Sequence, residues 1–168
     1  MTNLFAKAGA IISDCGLYRY LLTREWDREA PPALFVMLNP STADATRDDP
    51  TVRRCVGFAR AWGCGGLRVA NLFAFRSASP GALHDAADPV GPDNDRHLRE
   101  AAAGAKVVVA AWGVMGALRD REGIVGDLLR EAGVSVRCLG TTKGGHPRHP
   151  LYVPAAQPLV PLEGRAGR

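Results

Sequence analysis

Four apolar runs that are continuous rather than alternating constrain the fold most strongly. They occupy residues 33–38, 67–75, 106–112 and 134–139. A strand that is apolar at consecutive positions is buried on both faces, which is typical of a parallel sheet covered by helices. Segments with helical character separate the runs. The sequence therefore predicts an α/β fold, in the form of a three-layer α/β/α sandwich around a central, mainly parallel four-stranded sheet.

The segments between the runs predict helices at residues 51–62, 93–104 and 114–133. Pro50 suits the start of the first helix and Gly63 suits its end. With 168 residues, 46% of them hydrophobic, the chain can bury a full core, and we expect a single domain over residues 1–168. Within it we expect an N-terminal hairpin or extension at 1–30, an α/β core at 33–153 and an irregular tail at 154–168.

Bulk properties exclude several classes of protein. No apolar run approaches the roughly 20 residues that span a bilayer, and the N-terminal segment lacks the pattern of a signal peptide. We therefore expect a cytoplasmic protein with no membrane partner. The four cysteines form no CxxC pair and predict reduced, packed thiols. The net charge of +4 and pI of about 9.1 favour a polyanionic partner without establishing one.

Motifs for common cofactors and nucleophiles are absent. The chain contains no GxxxxGK[ST] phosphate loop, no GxGxxG after its first predicted strand, no HExxH and no GxSxG. Hydrolases and nucleotide-dependent enzymes of those kinds are therefore excluded. We expect no cofactor and no metal.

Polar residues follow each predicted strand where the strand ends. The first strand is followed by Asn39-Pro40-Ser41-Thr42, the second carries Asn71 before Arg76-Ser77, the third leads to Trp112-Gly113, and the fourth leads to TTKGGHPRHP at 141–150. Ligands of open α/β sheets bind beyond the carboxyl ends of the strands. These side chains are therefore candidates for one site.

Each candidate also has an interpretation without function. Asn39 before Pro40 is typical of a turn or a helix cap. Asn71 lies in an apolar strand, where an unpaired amide costs about 1–3 kcal/mol, so its partner is either backbone or a ligand edge. The 141–150 segment is either an irregular loop fixed by prolines or an anion-binding loop in which His146 or His149 donates a hydrogen bond.

Three carboxylates, Asp44, Asp48 and Asp49, follow the first strand. Such a cluster can bind magnesium or supply a general base. Solvated carboxylates that cap a helix are the more common arrangement at this position in a loop.

Four motifs, LYRYLLTREW, MLNPSTAD, VANLFAFRS and GGHPRHPLY, occur in this order across nearly the entire chain. They resemble a family of bacterial and phage proteins catalogued as a domain of unknown function. A more distant resemblance is to the uracil-DNA glycosylase superfamily. MLNPS is similar to its GINPG and GQDPYH motifs, RVANLFAFRS to its LLLNxxLTVR strand, and HPRHPLY to its HPSPLS motif.

The second resemblance implies roles for single residues. Asn39 would position or polarise the attacking water, and Asn71 would pair with the pyrimidine edge beside Pro40 and Ser41. A histidine would stabilise the departing base. HPRHPLY is one residue longer than the superfamily pattern, so His146 competes with the favoured His149. Leu151 or Tyr152 would fill the vacated base stack, and phosphate contacts would come from Arg53, Arg54, Arg76, Lys143 and Arg148.

The implied activity is excision of uracil or a related base from DNA, with base flipping, by a monomer that serves DNA repair. Because an amide cannot take a proton from water as a carboxylate can, we expect help from one of the three aspartates. Two alternatives remain open. One is a hydrolase or transferase that acts on free nucleosides or nucleotides, and the other is a non-catalytic module that binds a base or DNA.

Overall fold

The central feature of the protein is one sheet whose middle strands are parallel. A computed structural model describes residues 7–163, and within this range the sheet has seven strands in the order β1-β2-β4-β3-β5-β6-β7. The strands are β1 (Lys7–Ile12), β2 (Arg19–Glu25), β3 (Ala33–Met37), β4 (Gly66–Asn71), β5 (Val107–Ala110), β6 (Val136–Cys138) and β7 (Val160–Pro161). The predicted α/β class is confirmed.

The four predicted strands are the four parallel strands at the centre of the sheet. β3 pairs in parallel with β4 on one side and β5 on the other, and β5 pairs in parallel with β6. Every residue of β3 is buried, as its uninterrupted apolar sequence requires.

The expected number of four strands was wrong, because three antiparallel strands extend the sheet at its edges. β1 and β2 form an antiparallel hairpin beside β4, and β7 pairs antiparallel with β6. β7 lies in the segment expected to be irregular. It has two exposed residues, one of them Pro161, and such a short edge strand leaves no periodic pattern in the sequence. Part of the expected tail, residues 164–168, and residues 1–6 lie outside the described range.

Helices cover both faces of the sheet. Among residues 7–163 they are α1 (Pro50–Ala61), α2 (Asn94–Ala102) and α3 (Arg121–Glu131). α1 packs with Phe35 and Val69 on one face, whereas α2 and α3 pack with Leu34 and Val108 on the other. Alternate residues of β3 thus supply two separate cores.

The helix expected at 114–133 is shorter than predicted. Its first part is a 3₁₀ segment, Gly113–Asp120, and regular helix begins only at Arg121. Arg119 and Asp120 adopt left-handed backbone angles, with φ of 53° and 55°. Because neither residue type is a strong helix breaker, the sequence carries no clear signal of this interruption.

The order of the central strands creates a crevice. From β3 the chain passes through α1 on one face of the sheet to form β4. From β5 it passes through α3 on the other face to form β6. The loops after the neighbouring strands β3 and β5 therefore leave the sheet in opposite directions. Such a switch point is where open α/β sheets bind ligands. No helix between residues 7 and 163 has both the length and the apolar character needed to cross a membrane.

Candidate functional site

A small cavity with both apolar and polar walls lies at the carboxyl ends of β3 and β4. The two strands are in register there, with Met37 opposite Asn71. The cavity has a volume of about 200 Å³, and its walls include four of the predicted site residues, Asn39, Ser41, Asn71 and His149. The loop after β3, the end of β4 and the loop after β6 therefore converge on one site, although they are far apart in sequence.

The amide of Asn39 is held in one orientation by the backbone around it. Its Nδ2 donates to the carbonyl oxygens of Pro40, Phe75 and Ser77 at 3.2, 3.4 and 3.0 Å. Three acceptors around Nδ2 fix the assignment of the amide nitrogen. Oδ1 must then lie on the opposite side, and it accepts no hydrogen bond from residues 7–163. Asn39 thus anchors the loop through Nδ2 and leaves Oδ1 available to accept a hydrogen bond from a ligand.

Asn71 is the least satisfied side chain of the cavity. It is only 1% exposed, and neither Nδ2 nor Oδ1 has a hydrogen-bond partner anywhere in the described part of the chain. Its backbone oxygen, by contrast, accepts from Asn94 Nδ2 at 2.9 Å. The backbone partner that we considered for the Asn71 side chain is therefore not present. A buried amide with both groups unpaired costs about 1–3 kcal/mol for each lost partner, which points to a ligand that completes it.

His149 presents a protonated ring nitrogen rather than a cation. The backbone N–H of Leu151 donates to His149 Nδ1 at 3.2 Å, so the neutral ring carries its proton on Nε2. Burial lowers the pKa of His149, and the charge of Asp49 opposes this shift only in part. The ring is thus a neutral hydrogen-bond donor near pH 7.

His146, the competing histidine, does not line this cavity. Its Nδ1 is 3.5 Å from Glu122 Oε2, and Trp112 Nε1 donates to the same carboxylate oxygen at 3.1 Å. Glu122 and Trp112 belong to the wall of a second cavity of about 560 Å³, and Trp112 separates the two cavities by lining both. Of the two histidines, only His149 lies with Asn39 and Asn71.

The three aspartates have separate structural roles. Asp44 accepts from the backbone N–H groups of Thr46 and Arg47, and Asp48 forms an ion pair with Arg24 at 2.8 Å. Asp49 caps α1 by accepting from Val52 N at 2.8 Å. Of the three, only Asp49 lines the cavity. Within residues 7–163 there is no group of three side chains arranged to hold a metal ion.

None of the expected DNA-contacting residues lines the cavity, but each lies in a segment that contributes another residue to its wall. Leu151 and Tyr152 follow His149 in a 3₁₀ turn, and Tyr152 is 80% exposed. Arg53 and Arg54 are in the first half of α1, and Arg76 precedes Ser77, which lines the cavity. Lys143 and Arg148 are exposed in the last loop. Pro40 is buried beneath the cavity loop and contributes its carbonyl oxygen to Asn39 rather than a surface to the cavity.

Arg19 is a cavity residue that the sequence analysis missed. It opens β2, is 3% exposed and lines the cavity. Burial is the main cause that lowers its pKa to about 10. The available signal was a charged residue between two tyrosines in a buried strand, which is the same kind of anomaly that marked Asn71.

The fold and the site together define an α/β protein with a small cavity, of about 200 Å³, at the carboxyl edge of its sheet. The chain belongs to the family described as "Protein of unknown function (DUF1643)", whose model matches residues 19–151. The matched segment contains every residue that lines the cavity, from Arg19 to His149. No curated protein and no solved structure matched the chain significantly.

Proposed function

We propose that the protein is a DNA glycosylase that hydrolyses the N-glycosidic bond of uracil or a related base. The observation that carries the proposal is the buried, unpaired amide of Asn71 in a cavity that it shares with Asn39 and His149. An amide offers one donor and one acceptor side by side, and the edge of a pyrimidine base offers the complementary pair.

The size of the cavity supports a base as its ligand. A volume of about 200 Å³ lies below the roughly 300–1,000 Å³ of pockets for drug-sized ligands. It is comparable to the space of about six or seven water molecules, at roughly 30 Å³ each, which suits one ring. A sugar and its phosphates would remain outside. This matches a base extruded from a polymer better than a complete free nucleotide.

The proposed reaction uses three polar groups. Water adds its oxygen to the sugar carbon C1′ while the C1′–N bond breaks, and the bonding electron pair leaves with the base. Asn39 Oδ1 accepts a hydrogen bond from the water, and Asp49, which lines the same cavity, takes the released proton. His149 Nε2–H donates to the base as it becomes negative, and the base is later protonated by solvent.

The resemblance of three motifs supports the same assignment. MLNPS, RVANLFAFRS and HPRHPLY each resemble a motif of the uracil-DNA glycosylase superfamily. They contribute Asn39, Asn71 and His149, respectively, to this cavity. The central parallel strands have helices on both faces, as expected for an α/β/α arrangement of that type.

An exposed aromatic residue close to His149 supports a DNA substrate. Extruding a base costs a few kcal/mol, which contacts in the cavity and a side chain inserted into the stack can offset. Tyr152 is exposed two residues after Pro150 and is positioned beside His149, with ring centroids 5.5 Å apart. We propose Tyr152, with Leu151, as this wedge and the five surrounding cations as phosphate contacts. The protein would act as a monomer in the cytoplasm without a cofactor.

The experiment that tests the proposal is incubation of the purified protein with uracil-containing single- and double-stranded oligonucleotides, followed by alkaline cleavage at abasic sites. We expect strand cleavage with the wild type and at least about a 100-fold lower rate with Asn39→Ala. Thr42→Ala, at an exposed position of the same loop that does not line the cavity, is the control for general damage to the loop.

Other outcomes distinguish the alternatives. No cleavage above the Asn39→Ala level across several damaged bases would rule out the glycosylase. In that case, DNA binding that Asn39→Ala and His149→Ala leave unchanged would indicate a non-catalytic module. Binding of small nucleotides without affinity for DNA would indicate an enzyme of free nucleosides or nucleotides.

A further inference from the structure

Two buried arginines in LYRYLLTREW differ sharply in how their charges are satisfied. Arg24 is 1% exposed and donates through Nε to Asp48 Oδ1 at 2.8 Å. Its other nitrogens donate to backbone carbonyls, including those of Thr23 at 2.8 Å and Asp44 at 2.6 Å. Arg24 thus fastens the loop after β3 to the sheet, and its hydrogen-bonding capacity is used by the protein itself.

Arg19 is almost equally buried but has few partners. Its Nη1 donates to the carbonyl oxygen of Ala43 at 2.8 Å, and its Nε is buried without a partner in residues 7–163. No carboxylate of the described chain forms an ion pair with it. A guanidinium has five N–H donors, and burying its charge without an opposite charge is costly. The fold therefore holds a largely uncompensated cation against the cavity wall.

The charges around Arg19 are mixed. Asp49 and Asp44 attract its charge from a distance, whereas Arg76 and Arg24 repel it. Asp49 is also committed to the N-terminus of α1 through its bond with Val52. The surroundings consequently reduce the cost of the buried cation without supplying a partner in contact.

We propose that Arg19 is a ligand-binding residue of this cavity, which donates to a carbonyl oxygen of the base and stabilises the anion that forms when the base departs. The inference rests on the proposed function and deepens it, because it defines the ligand as a base that carries a keto oxygen and leaves with a negative charge. As the C1′–N bond breaks, its electron pair delocalises over the ring and onto that oxygen. Arg19 keeps its proton throughout.

A cation is more effective here than a neutral donor. Hydrogen bonds from a charged donor are shorter and roughly twice as strong as those between neutral groups. Donors that are already oriented toward a developing charge in a site that excludes water contribute most to the rate. His149 provides a neutral donor, and Arg19 adds the positive charge that the cavity otherwise lacks.

The test compares two leaving groups. Single-turnover excision is measured for uracil and for 5-fluorouracil, whose fluorine stabilises the departing anion. The variants are Arg19→Gln and Arg19→Lys. The control is Arg68→Gln, because Arg68 is a half-buried arginine of the same sheet that donates to Ala101 and Ala103 of the α2 region, away from the cavity.

We expect Arg19→Gln to slow uracil excision on the order of 100-fold. It should slow 5-fluorouracil excision only about tenfold, because the fluorine already stabilises the departing anion. Arg19→Lys keeps the charge but loses the planar fork, so it should be intermediate. Arg68→Gln should leave both rates unchanged. An equal loss for both bases would assign Arg19 a structural role, and unchanged rates would overturn the proposal. Thermal unfolding shows whether each variant is folded. If Arg19→Gln does not fold, Arg19→Lys replaces it in the comparison of the two bases.

A binding measurement separates this inference from the glycosylase proposal. Free 5-fluorouracil is titrated into the protein by calorimetry below and above the pH at which the base ionises. Arg19→Gln should bind the anion about tenfold more weakly than the wild type does, whether or not the wild type cleaves DNA. Equal affinities, or no binding of either form of the base by the wild type, would overturn the role of Arg19. Binding of the base without excision would overturn only the proposal that the protein is a glycosylase.

Discussion

Under the proposed function, the buried side chain of Asn71 lowers stability in return for recognition of the base. Its amide is buried beside Ala70 and Leu72 with both polar atoms unpaired in residues 7–163. We expect Asn71→Leu, which is similar in shape and apolar, to raise the free energy of unfolding by about 1–2 kcal/mol and to abolish base excision. Urea denaturation and the oligonucleotide assay measure the two effects. A loss of stability would instead show that the amide has a structural role.

His149 makes a pH-dependent contribution to the free energy of unfolding, and the sign of this contribution follows from its lowered pKa. Since burial lowers that pKa from the ordinary value of 6.5, the unfolded chain takes up the proton first as the pH falls. The stability that His149 provides is present above about pH 6.5 and is lost as the pH falls toward the folded pKa. We expect unfolding of the wild type between pH 7.5 and 5 to show a larger loss of stability than that of His149→Asn. An equal loss in both proteins would contradict the buried neutral ring.

The individual site residues could be predicted to different extents. Asn39, Asn71 and His149 follow from their positions at strand ends, because the carboxyl ends of parallel strands meet at one edge. The choice between His146 and His149 depends on the path of the last loop. That path is set by Gly145, with φ of 83°, and by the bridge between Thr141 and Pro147. A sequence pattern does not encode such a path.

At the scale of elements, Asp49 caps the N-terminus of α1 and, under the proposed function, also takes the proton of the attacking water. Asp49→Ala should lower the free energy of unfolding by about 1 kcal/mol, because the cap on Val52 is lost, whereas Asp49→Asn keeps an N-cap of similar quality. Both variants should lose about 100-fold in excision rate, because neither has a carboxylate to take the proton of the water. Asp44→Asn is the matched control, because Asp44 does not line the cavity and an asparagine keeps the oxygen that accepts from Thr46 and Arg47. Full activity of Asp49→Asn would exclude Asp49 as the proton acceptor.

Elements buried on both sides were easier to predict than those at the edges. The central strands are apolar at consecutive positions because helices cover both faces, and this leaves an unambiguous pattern. β1 has only exposed and half-buried residues, which do not alternate regularly, and β7 is only two residues long. Their pairing comes from the backbone of the neighbouring strand, so their side chains give little indication of it.

At the scale of the whole molecule, the basic charge and the exposed turn after His149 predict how DNA binds. If the five expected cations contact phosphates, log K for double-stranded DNA should fall with log salt with a slope of about −4.5. Tyr152→Ala should slow excision from double-stranded DNA more than from single-stranded DNA, because only the duplex has a stack to refill. Rates on the two substrates at matched salt measure this difference. Equal effects on both substrates would exclude the wedge.

The most direct test of the central claim is whether one base contacts Asn71 and His149 together. Free uracil is titrated into ¹⁵N-labelled protein, and NMR follows the side-chain amide of Asn71 and the Nε2 of His149. Asn94 is the internal control, because its buried Nδ2 already donates to the carbonyl oxygens of Asn71 and Leu72. The account predicts that the Asn71 and His149 signals shift together with one saturation curve while the Asn94 amide changes little. If uracil and related bases leave the Asn71 amide unshifted, the cavity does not bind a base and the account is contradicted.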